Sequence, residues 1–249
     1  MPDTALPPAR SLPAGRCLDW LAAGWQLFLR DPARWMAVAA LSLVILAALG
    51  VVPLIGWAFT LLAIPILGAG LVSITDQAAR DGRVRIDALF DGLRRDAGKH
   101  VIIGVSHLAG ALIIGFVAAL IGTSAALTGA LIGPLAAVGL ATGGIMLAIV
   151  VFTALWIALI MALWFAPSLV HFAHADPVDA LTHSAAACAR NLPAFAVLAL
   201  ALYVLGWIAM LPAGLGLLVL LPVLAGAQHA AYLDTFSAPA TPAPGSPND

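Results

Sequence analysis

The adjacent pair Ser106–His107 is the first place where the sequence could support catalysis, because many hydrolases pair a serine with a histidine. Adjacent residues on a helix do not face one another, so this serine and histidine are poorly placed for proton transfer. The surrounding sequence, Gly-Val-Ser-His-Leu, also lacks the second glycine of a nucleophile elbow. The sequence therefore predicts no catalytic residue and is interpreted as that of a non-enzyme.

His107 also lies on a stripe of small residues at i+4 spacing, which continues through Ala111 and Gly115. Small residues let membrane helices approach closely, and a polar side chain beside them can hydrogen-bond to the neighbouring helix. The pattern predicts that His107 makes an interhelical polar contact. The alternative is that His107 is a ligand or proton site.

A cluster of histidine and aspartate residues follows later in the chain: His171, His174, Asp176, Asp179 and His183. Histidines at i and i+3 could share a metal ion with a nearby carboxylate. The spacing matches no established metal motif, and Pro177 interrupts the helix. We interpret the cluster as the polar cap of a long helix, and predict neither a metal nor a cofactor.

Three arginines recur at similar places in the sequence: Arg30, Arg95 and Arg190. Each precedes an Asp or Asn, which can cap the start of a helix. One interpretation is that they anchor the topology of the chain, since Lys and Arg favour the cytoplasmic side of a membrane. The other is that they form a ring in contact with anionic lipid headgroups, with membrane lipids as partners. The net charge of −1 indicates no nucleic-acid partner.

The elements that position these residues follow from the composition, which is 63% hydrophobic and only 9% charged. Three stretches, of 41, 76 and 43 residues, contain no Asp, Glu, Lys or Arg. A helix needs about 20 apolar residues to cross a bilayer, so each stretch fits at least two crossings. We predict an all-α, polytopic membrane protein with six transmembrane helices, at about 35–52, 54–75, 101–121, 145–170, 193–211 and 214–233.

Residues 122–144 leave the number of crossings open, because they combine six glycines and Pro134 with an apolar sequence. They could form a loop on the far side, a re-entrant element or a seventh crossing. If the three Arg-Asp/Asn pairs are equivalent they share a side of the membrane, which favours six crossings.

Residues 17–236 are predicted to form a single membrane domain in which one module occurs three times, at about 18–75, 86–170 and 178–236. Each module opens with a short amphipathic helix at an Asp-x-Leu sequence, as is typical of helices that lie on a membrane surface. A transmembrane hairpin follows and ends at Pro-x-Leu. The Pro-rich tail 1–16 and the Ala/Pro tail 237–249 are predicted to be disordered.

All eleven Lys and Arg residues lie before the first hairpin or between hairpins. This distribution predicts that their face of the membrane, and with it both termini, is cytoplasmic. Cys17 and Cys188 fall on the same face, where thiols stay reduced. We expect both to react with a membrane-permeant maleimide.

Four segments of the sequence resemble segments of a known protein family: Gly24–Pro32, Trp164–Val170, Arg190–Phe195 and Tyr232–Phe236. Together they resemble a family of uncharacterised proteobacterial inner-membrane proteins. The likeness covers about residues 14–236, implies six spans in a bacterial inner membrane, and supplies no catalytic or binding residues. A looser similarity of layout is to the membrane domain of some glycerophosphodiester phosphodiesterases, whose soluble catalytic domain has no counterpart here.

The function predicted from these observations is that of a non-catalytic membrane accessory or lipid-organising protein. The alternative is a translocator or channel for a small solute or lipid, along the axis between the three hairpins. A cavity on that axis lined by polar side chains would favour translocation over close packing of small residues.

Overall fold

A computed structural model of the chain describes residues 6–53 and 55–236, with residues 134–137 given as backbone only. Within these residues the structure contains ten α-helices and one 3-10 helix, Ile86–Phe90. The α-helices are α1 (Arg16–Arg30), α2 (Pro32–Gly50), α3 (Gly56–Asp81), α4 (Asp91–Arg94), α5 (Ala97–Ile132), α6 (Pro134–Trp164), α7 (Ala166–Ala173), α8 (Pro177–Arg190), α9 (Leu192–Met210) and α10 (Leu217–Phe236).

Six helical segments are long and apolar enough to cross a membrane, which confirms the predicted all-α, six-span fold. They are Pro32–Gly50, Gly56–Asp81, Ala97–Ile132, Val138–Ala173, Leu192–Met210 and Leu217–Phe236. In chain order they form three hairpins, α2–α3, α5–α6/α7 and α9–α10. The surface helices α1, α4 and α8 precede these hairpins at one end of the bundle, which we call the polar end.

The segment 122–144 forms the turn of the second hairpin and is helical on both sides of it. Residues 122–132 continue α5, Gly133 turns the chain with a φ of 138°, and Pro134 begins α6. Only glycine adopts this φ readily, and proline suits the first turn of a helix. The segment is therefore neither a loop nor a separate crossing. The other glycines stay helical because a backbone in lipid must satisfy its own hydrogen bonds.

The second hairpin is longer than the other two. The 36 residues of α5 extend about 54 Å, whereas the hydrocarbon core of a bilayer is about 30 Å thick. The 19 residues of α9 extend about 28 Å, close to that thickness. The α5–α6 hairpin is therefore the part of the chain with the greatest excess of apolar length.

The surface helix α1 packs closely on α10. Its buried residues recur at helical spacing and are Cys17, Trp20, Gly24, Leu27 and Phe28. A Cβ added at Gly24 would collide with the carbonyl oxygen of Val223, and one added at Gly226 would lie 2.7 Å from the Gly24 Cα. Glycine is needed at both positions because the two backbones touch.

All three surface helices make the same kind of contact with a neighbouring hairpin. Gly24, Gly92 and Ser184 each lie five residues after the Asp of the predicted Asp-x-Leu start. Each lies against a backbone carbonyl of the neighbouring hairpin, with α1 on α10, α4 on α3 and α8 on α6. The three contacts therefore lie at the same position in each copy of the predicted module. The threefold repeat itself stays a prediction.

The residues before α1 are packed, in contrast to the tail predicted from their composition. The backbone N–H of Arg10 donates to the Thr235 carbonyl at 2.9 Å. The buried Asn191 side chain accepts from the Leu12 N–H at 2.7 Å and donates to the Arg10 carbonyl at 2.8 Å. We call residues 6–15 the N-terminal strap.

The prediction of a tail at residues 1–16 therefore differs from the structure over the strap and over Arg16, which begins α1. The strap lies over the junction of α8 and α9 and over the end of α10. Residues 1–5 and the predicted tail 237–249 lie outside the described residues.

Candidate functional site

The three arginines predicted to contact lipid headgroups are exposed at the polar end. Arg30 ends α1, Arg95 follows α4 and Arg190 ends α8. The side chains of Arg30 and Arg95 form no hydrogen bond or ion pair with any residue that the structure describes. Arg190 differs, because its Nη1 donates to the Ala9 carbonyl of the strap at 3.1 Å. Two of the three arginines, Arg30 and Arg95, therefore have a guanidinium group with no hydrogen-bond or ion-pair partner among the described residues.

Four other arginines at the polar end are neutralised by aspartates. The pairs and their shortest N–O distances are Arg16–Asp234 (2.7 Å), Arg34–Asp31 (3.2 Å), Arg80–Asp76 (2.9 Å) and Arg85–Asp87 (2.7 Å). The hydrogen bond from Arg85 lowers the pKa of Asp87 below its usual value. The polar end is therefore a mixed surface, on which Arg30 and Arg95 are among the cations open to an outside anion.

His107 lies in the spanning part of α5 and contacts α3. Its Nδ1 donates to the Leu61 carbonyl at 2.9 Å. That carbonyl lacks its usual helical partner because the residue four positions later is Pro65, which has no N–H. His107 supplies the hydrogen bond that the proline removes. The neighbouring Ser106 donates to Ile102 within its own helix, so the two side chains do not form a catalytic pair.

A helix break at Phe165 separates α6 from α7 and is bridged by a side chain of α8. The N–H of Phe165 donates to Ser184 Oγ at 2.9 Å, and Ser184 Oγ donates to the Met161 carbonyl at 2.7 Å. In a continuous helix Phe165 and Met161 would bond directly. Pro167 disfavours that arrangement, because its ring would clash with the Leu163 carbonyl. The serine hydroxyl therefore stands in for one backbone hydrogen bond.

The carbonyl of Trp164 at the same break accepts a hydrogen bond from Gln228 Nε2 on α10. Three interhelical side-chain contacts thus serve the same purpose, from His107, Ser184 and Gln228. Each satisfies a backbone group left open inside the membrane domain, by Pro65 within α3 or by the break at Phe165, where an unpaired polar group is costly. Of these three side chains, only His107 is predicted from the sequence to make an interhelical contact.

Three histidines lie near one another at the polar end, on α5, α7 and α10. His100 acts electrostatically on His171, and the charge of Asp76 acts on both His171 and His229. Neither ring nitrogen of the buried His100 has a partner of normal hydrogen-bond geometry among the described residues. Across residues 6–53 and 55–236, no three His, Cys, Asp or Glu side chains are grouped closely enough to hold a metal ion.

The predicted cluster between residues 171 and 183 is divided among separate partners. His174 Nδ1 lies 3.7 Å from Asp96 Oδ2, at the start of α5. His183 Nε2 donates to the Pro7 carbonyl of the strap at 2.9 Å. His171 interacts electrostatically with Asp76 instead. The cluster therefore holds the strap and neighbouring helices together at the polar end.

Asp234 near the end of α10 joins the two ends of the described chain. It accepts from Arg16 Nη2 at 2.7 Å and from Trp20 Nε1 at 2.8 Å. The hydrogen bond and charge of Asp234 raise the pKa of Arg16 above its usual value. Asp234 is the first charged residue after a stretch of 43 uncharged ones, but no sequence pattern pairs it with Arg16.

Two clefts are lined by apolar side chains of the outer helices. One, of about 320 Å³, lies between α6, α8 and α9 and includes Trp164 and Phe195. The other, of about 730 Å³, lies between α1, α9 and α10 and includes Trp25. By contrast, α3 and α7 are in direct contact with each other.

The six apolar helices and the polar end define a polytopic α-helical membrane protein. Over residues 21–246 the chain matches the family described as domain of unknown function (DUF7847), and it belongs to that family. A protein of Burkholderia thailandensis described as a "Probable inner membrane protein" is 29% identical over 220 residues, covering 85% of this chain and 79% of the relative. No solved structure matches the chain.

These matches confirm the resemblance to inner-membrane proteins without an assigned function. The looser similarity to the membrane domain of phosphodiesterases stays a prediction. Neither match supplies a catalytic residue or a ligand, so a function for this chain has to be argued from its own side chains.

Proposed function

We propose that this chain is a non-catalytic inner-membrane protein that organises phospholipid by binding anionic headgroups at its polar end. The observation that carries the proposal is the state of Arg30 and Arg95, which are exposed and have no partner among the described residues. A guanidinium group binds a phosphate through two parallel hydrogen bonds, which gives both affinity and orientation.

The surface helices support this role by their position. α1 buries one stripe against α10, and a second apolar stripe, Leu18, Trp25 and Leu29, is exposed beside it. A helix with such a stripe and a polar face lies in the plane of the headgroups. Arg30 at its end is then at the depth of lipid phosphates.

The orientation that we propose places the polar end and both termini on the cytoplasmic side. All eleven Lys and Arg residues lie at the ends of the hairpin helices or in the segments before and between the hairpins, in agreement with the positive-inside bias. The cytoplasmic leaflet carries anionic lipid, which is the ligand that unpaired arginines would attract.

Translocation between the hairpins has less support. The two clefts are apolar and involve the outer helix α9, and they do not lie on an axis between the three hairpins. A path for a polar solute needs polar side chains along a cavity. Ser106 and His107 direct their hydrogen bonds to different helices, which also gives no support to an enzymatic role.

The test compares phospholipid retained by the wild type with that retained by Arg30→Lys/Arg95→Lys. Lysine keeps the charge needed for topology but lacks the bidentate fork, so the double variant should retain less anionic phospholipid after purification in mild detergent. Arg190→Lys is the matched control, because Arg190 already donates to the strap and should matter less. Equal retention by all three correctly inserted proteins would refute headgroup binding by these arginines.

A further inference from the structure

The cleft between α1, α9 and α10 is a defined feature of the lipid-facing surface. Its volume is about 730 Å³, within the range of about 300–1,000 Å³ that is usual for ligand pockets. Leu21, Ala22 and Trp25 of α1 form one wall, and Ile208 and Val219 belong to the walls contributed by α9 and α10. Its lining has almost no polar surface, so it offers nothing to a charged or hydrogen-bonding ligand.

The surroundings of the cleft indicate what fills it. Both α9 and α10 are long and apolar enough to span the membrane, and outward residues of α9 such as Tyr203 and Trp207 are 64% exposed. Two walls of the cleft belong to these spanning helices, which are in contact with hydrocarbon chains in a bilayer. An apolar depression left empty would forfeit the dispersion contacts of its lining atoms.

Helix α1 gives the cleft a second property, because it carries polar residues close to an apolar wall. At 100° per residue, Ala22, Gln26 and Arg30 follow one another at i+4 along α1, and Trp25 lies about 60° to one side of Ala22. A molecule with an apolar chain and a phosphate could therefore place the chain against Ala22 and Trp25 and the phosphate near Arg30, two turns further along α1. This combination is the chemistry of a phospholipid.

We propose that the cleft between α1, α9 and α10 binds an acyl chain of a phospholipid. The proposal rests on the proposed function and adds to it the site and the part of the lipid that is recognised. The other possible occupant is a second copy of this chain, whose outer helices are equally apolar.

The test fills the cleft from the wall of α1. Ala22→Trp places an indole in the cleft, and Ala22→Leu is a milder variant with less risk to folding. Ala23→Trp is the matched control, since Ala23 is exposed on the same helix but does not line the cleft. Each protein is reconstituted in vesicles of phosphatidylethanolamine and phosphatidylglycerol, extracted in mild detergent, and weighed by native mass spectrometry.

We expect both Ala22 variants to retain one phospholipid fewer per chain than the wild type and Ala23→Trp. Equal retention by all four proteins would overturn the proposal. A change of oligomeric state in the Ala22 variants, with lipid retention unchanged, would assign the cleft to a second copy and would also overturn it.

The arginine variants separate this proposal from the function on which it rests. Loss of lipid in Arg30→Lys/Arg95→Lys but not in the Ala22 variants would support headgroup binding by the two arginines and would refute acyl-chain binding in the cleft. Loss of lipid in the Ala22 variants alone would support acyl-chain binding in the cleft and would refute headgroup binding by the two arginines.

Discussion

Replacement of Ser184 by alanine should destabilise the protein through the backbone of another helix. The change removes the hydroxyl that accepts from the Phe165 N–H at 2.9 Å and donates to the Met161 carbonyl at 2.7 Å. Both Phe165 and Ser184 are 0% exposed, so water cannot replace the lost partner. Pro167 opposes the shift that would let the two backbone groups bond to each other.

The expected magnitude follows from two lost hydrogen bonds. A buried hydrogen bond contributes about 0.5–1.5 kcal/mol to stability, and polar contacts in a membrane domain average about 0.6 kcal/mol. The sum for Ser184→Ala is therefore about 1–3 kcal/mol. A loss of about 2 kcal/mol corresponds to roughly 30-fold in the folding equilibrium.

Unfolding by SDS in mixed micelles, followed by tryptophan fluorescence, measures this free energy. Ser106→Ala is the control, because the exposed Ser106 hydroxyl bonds only to Ile102 on its own helix at 2.9 Å. We expect a change of less than about 0.5 kcal/mol for the control. If Ser184→Ala unfolded at the same SDS fraction as Ser106→Ala, the hydroxyl would not be bridging the break.

Two further predictions concern topology and the cysteines. Reporter fusions after Asp96, Arg190 and Asp234 should report the cytoplasm. A fusion at Gly133 should report the far side of the membrane. A far-side signal at Arg190 would contradict the proposed orientation. Cys17 and Cys188 are both 0% exposed, and burial raises the pKa of the Cys188 thiol to about 12. Neither thiol should therefore react with maleimide at pH 8 until SDS unfolds the protein. Rapid labelling of the native protein would contradict this prediction and would show that the polar end opens.

The cysteine prediction corrects the expectation drawn from the sequence, which placed both thiols on an accessible face. The distribution of charges indicates the side of the membrane but not the depth of a side chain below the surface. In the structure Cys17 lies on the buried stripe of α1, and its Sγ donates to the Ala14 carbonyl at 3.2 Å.

The spans could be predicted because their apolar parts contain no charged residue, and a charge in lipid is costly. The turn at Gly133 could not, since glycine-rich sequence is typical of loops in water. In a membrane the backbone has no water to bond to, so the helices continue to Ile132 and resume at Pro134.

The candidate site was only partly accessible from the sequence for a similar reason. The positions of Arg30 and Arg95 follow from their spacing, and His107 lies on a recognisable small-residue stripe. Ser184 lies in an alanine-rich helix, and the sequence predicts Asn191 only as a residue that can cap the following helix. Their roles depend on backbone groups of distant segments, which a linear pattern does not contain.

The lipid composition of the unmodified protein tests the proposed function most directly. The chain is purified from its native membrane in mild detergent, and the bound phospholipids are identified by mass spectrometry and compared with the total extract of that membrane. Headgroup binding by unpaired arginines predicts that the retained fraction is enriched in anionic phospholipid and that raised salt reduces the enrichment. A retained fraction with the composition of the whole membrane would contradict it.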